Sequence, residues 1–124
     1  MSGPVRFAGY AALFDRIDRA GEVMRAGAFA GVGAVPLLWQ HRGSPVGRIE
    51  AIGEDARGLR VAGVVEDEGL AALVTARGLD GLSVGYRPLA VRQGVRRELL
   101  RVMLAEVSLV AVPMQPLARI DRIG

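Results

Sequence analysis

Three side chains in this sequence could together carry out hydrolytic chemistry: Ser83, His41 and Glu106. Ser83 lies between Gly81 and Gly85 in the stretch DGLSVGYRP, at spacing G-x-S-x-G. A serine hydroxyl is a weak nucleophile while protonated and needs a base beside it. Neutral imidazole, with an ordinary pKa of about 6.5, is the commonest such base near neutral pH. His41 is the only histidine in the chain. Glu106 stands inside the apolar run LAEVSLVAVP, where a carboxylate is costly to bury unless paired. Read as a strand, that run puts Glu106, Ser108 and Val110 on one face and Val107, Leu109 and Ala111 on the other. A carboxylate there could orient an imidazole and stabilise its charged form. Each residue also has a plainer reading. Ser83 could be a structural serine between turn glycines, His41 a satisfied strand-end residue, and Glu106 a surface acid or an arginine's partner.

The G-x-S-x-G spacing is that of the nucleophile elbow of α/β-hydrolases, which needs a strand before the serine, a helix after it, and a histidine later in the chain. Here the helical pattern precedes Ser83, a β-like segment follows it, and no histidine follows at all. The chain is also short for such a sheet. An elbow esterase is therefore excluded on chain order and on size.

The elements that must position these residues read as mostly β. Residues 5–14 are rich in Val, Phe, Tyr and small side chains and predict a strand. Residues 15–23 (DRIDRAGEV) are polar and predict a loop, and residues 26–33 a short helical turn. Residues 35–41 form a compact apolar run that predicts a buried strand ending at His41. Residues 46–52 and 59–65 flank a polar, Gly-containing turn and predict a hairpin. Between residues 69 and 77, Leu70, Leu73 and Val74 fall at helical spacing, with Gly78 as a stop. Strands are expected over 82–91 and about 98–112, joined by a turn at RQGV, with Pro113 and Pro116 ending the second. Successive strands with one clear helix predict a mainly β (α+β) fold, an antiparallel β-barrel of six or seven strands with a packed helix.

Composition narrows the function classes further. The 124 residues, 51% of them hydrophobic, suffice for a single domain over 1–124 with its own core. All 16 basic residues are arginine, which removes any lysine Schiff base or Ser-Lys dyad. There is no cysteine, so thiolate catalysis, disulfides and Cys-based zinc sites fall away, and no cofactor or metal is implied. The arginines are scattered along the chain, Arg96-Arg97 being the only adjacent pair, which argues against a specific nucleic-acid stripe. The opening MSGPVRFAGY lacks a signal-peptide pattern and no stretch is long enough to span a bilayer, so a soluble cytoplasmic protein without membrane contact is expected.

Four stretches, in order, resemble the prohead maturation proteases of tailed phages and gene transfer agents. They are FAGYAALFDRIDRAGEVMRAGAF, then LLWQH with PVGRIE, then GLSVGYRP, then LAEVSLVAVPMQPLARI. The resemblance implies a fold similar to the herpesvirus assembly protease and a serine endopeptidase packaged in the procapsid of a bacterial host. Its substrate would be scaffold or the N-terminal scaffolding segment of the major capsid protein. Carried over by position, the resemblance places the base on His41, the nucleophile on Ser83 and the acidic third member on Glu106. The resemblance also leaves homo-oligomers as an option. Beside it, the residues themselves offer the loop after the last strand, around Met114 and Gln115, as part of an oxyanion hole of backbone N–H groups, and Gly85 as a bare position beside the scissile bond or, equally, a strand bend or tight-packing site. The chain is short for such a family, and RAGEV replaces a commoner Gly-Asp turn. The competing reading is a catalytically silent capsid-assembly or scaffold-binding factor.

Overall fold

The computed structural model describes residues 3–124. Among the described residues eight strands and one helix succeed each other: β1 (Val5–Leu13), β2 (Glu22–Met24), β3 (Pro36–Trp39), β4 (Arg42–Glu54), β5 (Gly58–Val65), α1 (Glu68–Thr75), β6 (Gly81–Gln93), β7 (Arg97–Val110) and β8 (Ile120–Ile123). The strands form one sheet in the order β2-β7-β3-β4-β5-β1-β8, with β6 paired to β7. A bridge between Gly81 and Arg119, with Leu82 N–H donating to Ala118 O, brings the start of β6 to the segment before β8. The result is a curled, half-barrel sheet of the expected mainly β class.

Three details depart from expectation. The strands number eight rather than six or seven, because Glu22–Met24 and Ile120–Ile123 are short strands. Two of the pairings are parallel, β2 and β3 each running alongside β7, so the sheet is mixed. The short helical turn expected at 26–33 is instead a run of successive turns, in which Ala28, Ala30 and Val32 donate to the carbonyls three residues back. Three glycines in that segment, Gly27, Gly31 and Gly33, remove the side chains that would favour a continuous helix.

The core is aliphatic because few aromatic residues are present. Phe7, Phe29, Leu37, Leu59, Val61, Leu82, Leu99, Val107 and Leu109 pack inside the curl. The helix α1 begins where Asp67 Oδ2 accepts from Leu70 N–H at 3.0 Å, satisfying a backbone donor that has no partner in the first turn. Its buried residues are Ala71 and Val74, whereas Leu73, one of the three residues that announced the helix, is exposed.

β7 is the strand on which the site is assembled. It is bordered by β6 on one side and, at different heights, by β2 and β3 on the other. Every chain stretch that bears a candidate catalytic residue therefore docks on it.

Candidate active site

Ser83 is the third residue of β6, on a strand that follows a helix, the reverse of an elbow. Antiparallel pairing sets Ser83 opposite Ser108 and Gly85 opposite Glu106. Directly opposed residues share a face of the sheet, so Ser83, Ser108 and Glu106 lie together, as the alternation in LAEVSLVAVP requires. Glu106 is only 8% exposed, which rules out the surface-acid reading.

His41 reaches this face through the tightest connection in the fold. Trp39 pairs with Arg42, leaving only Gln40 and His41 to turn the chain between β3 and β4. Both have positive φ, +54° and +64°, as a two-residue hairpin turn of the primed type demands. Such turns usually carry Asn or Gly, and a non-glycine residue held there stores about 1–2 kcal/mol. The turn is tied down on β7. Gln40 N–H donates to Leu109 O at 2.9 Å, Ala111 N–H donates to Gln40 Oε1 at 2.8 Å, and His41 N–H donates to Ser108 Oγ at 3.1 Å.

The His41 ring meets Glu106, with Nδ1 and Oε1 2.5 Å apart. An ionised carboxylate only accepts, so Nδ1 carries the hydrogen and Nε2 of the neutral ring is left with its lone pair. The other carboxylate oxygen, Oε2, accepts from Ser108 Oγ at 2.5 Å. Ser108 is wholly buried and joins the backbone of the His41 turn to the carboxylate. Nothing in the sequence singled Ser108 out except its place on the same strand face as Glu106.

Gly85 has a definite reason to lack a side chain. A Cβ there would come within 2.8 Å of Glu106 Cδ and closer still to Oε1. The bare position makes room for the carboxylate that meets His41, as the tight-packing alternative requires. Gly81, the first glycine of the motif, similarly lets β6 approach Val110 O and Pro113.

Ser83 and His41 line one cavity of about 100 Å3, together with Ala11, Met24, Met114 and Gln115. No hydrogen bond joins Ser83 Oγ to the ring among the described residues. The Gln115 side chain is buried and committed elsewhere: Leu13 N–H donates to its Oε1 at 2.5 Å and its Nε2 donates to Leu13 O at 2.9 Å. At the far wall, Tyr86 OH donates to Glu22 Oε1 at 3.2 Å and Arg97 pairs with Glu22 Oε2 at 2.6 Å. Burial, and then the charge of Glu22, raise the Tyr86 phenol well above its ordinary value, so the phenol stays neutral and donating. A wider groove of about 270 Å3 opens elsewhere on the sheet but holds no nucleophile or imidazole.

The profile of the caudovirus prohead serine proteases matches residues 2–123. The chain belongs to that family. As a prohead protease family member it shares its fold with herpesvirus enzymes. It superposes on KSHV protease, solved in complex with a hexapeptide phosphonate inhibitor, with a TM-score of 0.66 at 12% identity, covering 98% of this chain and 65% of that one. It superposes on varicella-zoster virus protease with a TM-score of 0.61 at 19% identity, covering 97% and 64%. The chain thus spans a little under two thirds of the length of these herpesvirus proteases. No curated protein matches it in sequence. Among the described residues no group of three or more His, Cys, Asp or Glu is placed to hold a metal ion, and no helix is long and apolar enough to cross a membrane.

Proposed function

We propose that this prohead protease family member is a serine endopeptidase whose nucleophile is Ser83, whose general base is His41 and whose orienting acid is Glu106. It acts on the major capsid protein or the scaffold inside the assembling procapsid of a bacterial host. The observation that carries the reading is the 2.5 Å contact of His41 Nδ1 with a buried carboxylate, in a ring that shares a cavity with Ser83.

Each group then has one task. When a peptide fills the cavity, Ser83 Oγ closes on His41 Nε2 and attacks the scissile carbonyl carbon. The Oγ–C bond forms, the proton passes to Nε2, and the carbonyl π electrons move onto oxygen. Collapse of the tetrahedral intermediate breaks the C–N bond, and Nε2 returns the proton to the leaving amine. Water repeats the sequence on the acyl-enzyme. Glu106 holds the tautomer and stabilises the imidazolium in both halves. The catalytic bond between Oγ and Nε2 commonly tightens only with substrate present.

The oxyanion needs preorganised N–H donors. Met114 and Gln115 border the cavity, their carbonyls accept from Arg19 and Ala118, and their N–H groups donate to no carbonyl among the described residues. We assign the hole to these two N–H groups. The Gln115 side chain serves it indirectly, by bolting the loop to β1 through Leu13.

Intact-mass analysis of the major capsid protein co-expressed with the wild-type chain and with Ser83→Ala tests the reading. The expected outcome is a defined truncation with wild type only. Full-length capsid protein in both, with the domain folded, would favour a silent assembly factor. Truncation in both would remove Ser83 from the mechanism.

A further inference from the structure

Five of the 16 arginines fall in one stretch, residues 87–101. The outer arm of the β6–β7 hairpin, residues 87–104, carries Arg87, Arg92, Arg96, Arg97 and Arg101 against one acid, Glu98. The arm's formal charge is therefore +4, whereas the whole chain totals +3. The rest of the molecule is −1, and the arm alone makes the protein basic.

Some of that charge is used internally. Glu98 is shared between Arg92 and Arg25 at 2.7 and 2.6 Å, and Arg97 pairs with Glu22. Arg87, Arg96 and Arg101 form no ion pair among the described residues; the Arg87 guanidinium donates to the Met103 sulfur at 3.5 Å. The same arm exposes aliphatic side chains. Leu89 and Met103 are about half exposed and Val95, at the tip, fully so. Leu89, Arg101 and Met103 border the groove of about 270 Å3, whose opposite wall is the glycine-rich turn segment around Val32. Arg87 lies opposite Met103 in the ladder and Ala90 opposite Arg101, so the two unpaired guanidiniums flank the groove's apolar lip.

We propose that this groove and the arm beside it form a docking site for an acidic polypeptide segment with aliphatic anchors, separate from the cavity that holds Ser83. Charge complementarity supplies long-range attraction and orientation, and the leucine and methionine surface supplies burial. A peptide fits better than single-stranded nucleic acid. The ring in the groove, Phe29, is buried rather than presented, so no stacking platform faces outward. The site depends only on charge and shape, and stands whether or not Ser83 is a nucleophile.

Fluorescence anisotropy on the full chain tests it. The probe is a short fluorescein-labelled peptide of glutamates and aspartates with two leucines, measured at low and moderate salt. The comparison probes are the same peptide with lysine for every acid, the same peptide with serine for leucine, and a single-stranded DNA oligonucleotide. The expected result is saturable binding of the acidic leucine peptide, weakened by salt and by the serine exchange. Arg87→Glu with Arg101→Glu should lower affinity by at least about tenfold, with the thermal unfolding curve checked in parallel. Arg101→Gln is the milder variant if the double reversal perturbs folding. Equal binding of the lysine peptide, or unchanged affinity in a folded variant, would overturn the proposal. Tighter binding of the oligonucleotide than of the acidic peptide would overturn it in favour of a nucleic-acid surface.

Discussion

An alanine at position 85 would press its methyl group against the Glu106 carboxylate, because that carboxylate occupies the space a side chain would need. Strand geometry tolerates alanine, so Gly85→Ala should fold while swinging Glu106 away from His41. We expect kcat to fall by roughly 10- to 100-fold, the loss of one hydrogen bond to a charged group, with KM little changed; steady-state hydrolysis of a capsid-derived peptide reads both. Ser108→Ala removes the donor to Glu106 Oε2 and the acceptor of His41 N–H together. It should lower kcat over a similar range, and abolish the far-downfield imidazole N–H resonance that a short Nδ1–Oε1 bond gives. His41 is the only histidine, so that signal has one assignment. Retention of both the resonance and the wild-type kcat would show that Ser108 does not position the pair. At this scale the sequence was informative about side-chain type and strand face. The meeting of His41 with Glu106, 65 residues apart, depends on pairing between distant strands that no local pattern encodes.

At the scale of elements, the β3–β4 turn is where stability and function bear on the same residues. Gln40 and His41 are both held at positive φ, where β-branched side chains are strongly disfavoured. Gln40→Val should destabilise the fold by about 1–3 kcal/mol, read from urea unfolding midpoints, and should lower kcat because His41 rides on the same turn. Gln40→Gly relaxes the backbone yet loses the bond to Ala111 N–H, so it should recover part of the stability. An unchanged midpoint in Gln40→Val would mean the turn is not constrained as described. This turn was invisible beforehand for a physical reason: Gln-His has none of the Asn-Gly chemistry by which two-residue hairpins announce themselves. The hairpin at Asp55 was legible because a polar stretch with Gly58 separates two β-rich arms. The helix was legible by period, although Ala71 rather than Leu73 faces inward. β2 was missed because three residues pairing in parallel leave almost no pattern.

Across the whole molecule, charge is organised by the sheet rather than by the chain. Glu98 sits between Arg92 and Arg25, whose hydrogen bonds lower its pKa from the ordinary 4.5 to about 2. A carboxylate depressed on folding stabilises the native state above its unfolded pKa, and that contribution is lost as pH falls through the folded value. Stability should therefore decline between about pH 4.5 and about pH 2. Asp55, lowered chiefly by the Tyr10 hydroxyl, adds a slope of the same sign. Glu98→Gln should flatten the acid limb without abolishing it, as measured by thermal unfolding across that range. An unaltered limb would show that Glu98 is not held by its two arginines. The basic arm, by contrast, is contiguous in sequence: residues 87–101 hold five arginines and one acid. The linear reading missed that asymmetry because it weighed adjacent pairs and overall scatter, not the charge of this one window.

β7 also sets a clock. The stretches bearing Ser83 and His41 both precede it in the chain, and both are held in place by docking on it. During N-to-C synthesis the proposed nucleophile and base emerge before the strand that brings them together. A nascent chain that has not yet released β7 has not assembled the proposed triad, and on that reading the growing polypeptide is inert toward itself and toward its neighbours on the polysome. The proposed site is complete only once β7 and the Met114–Gln115 loop after it have emerged.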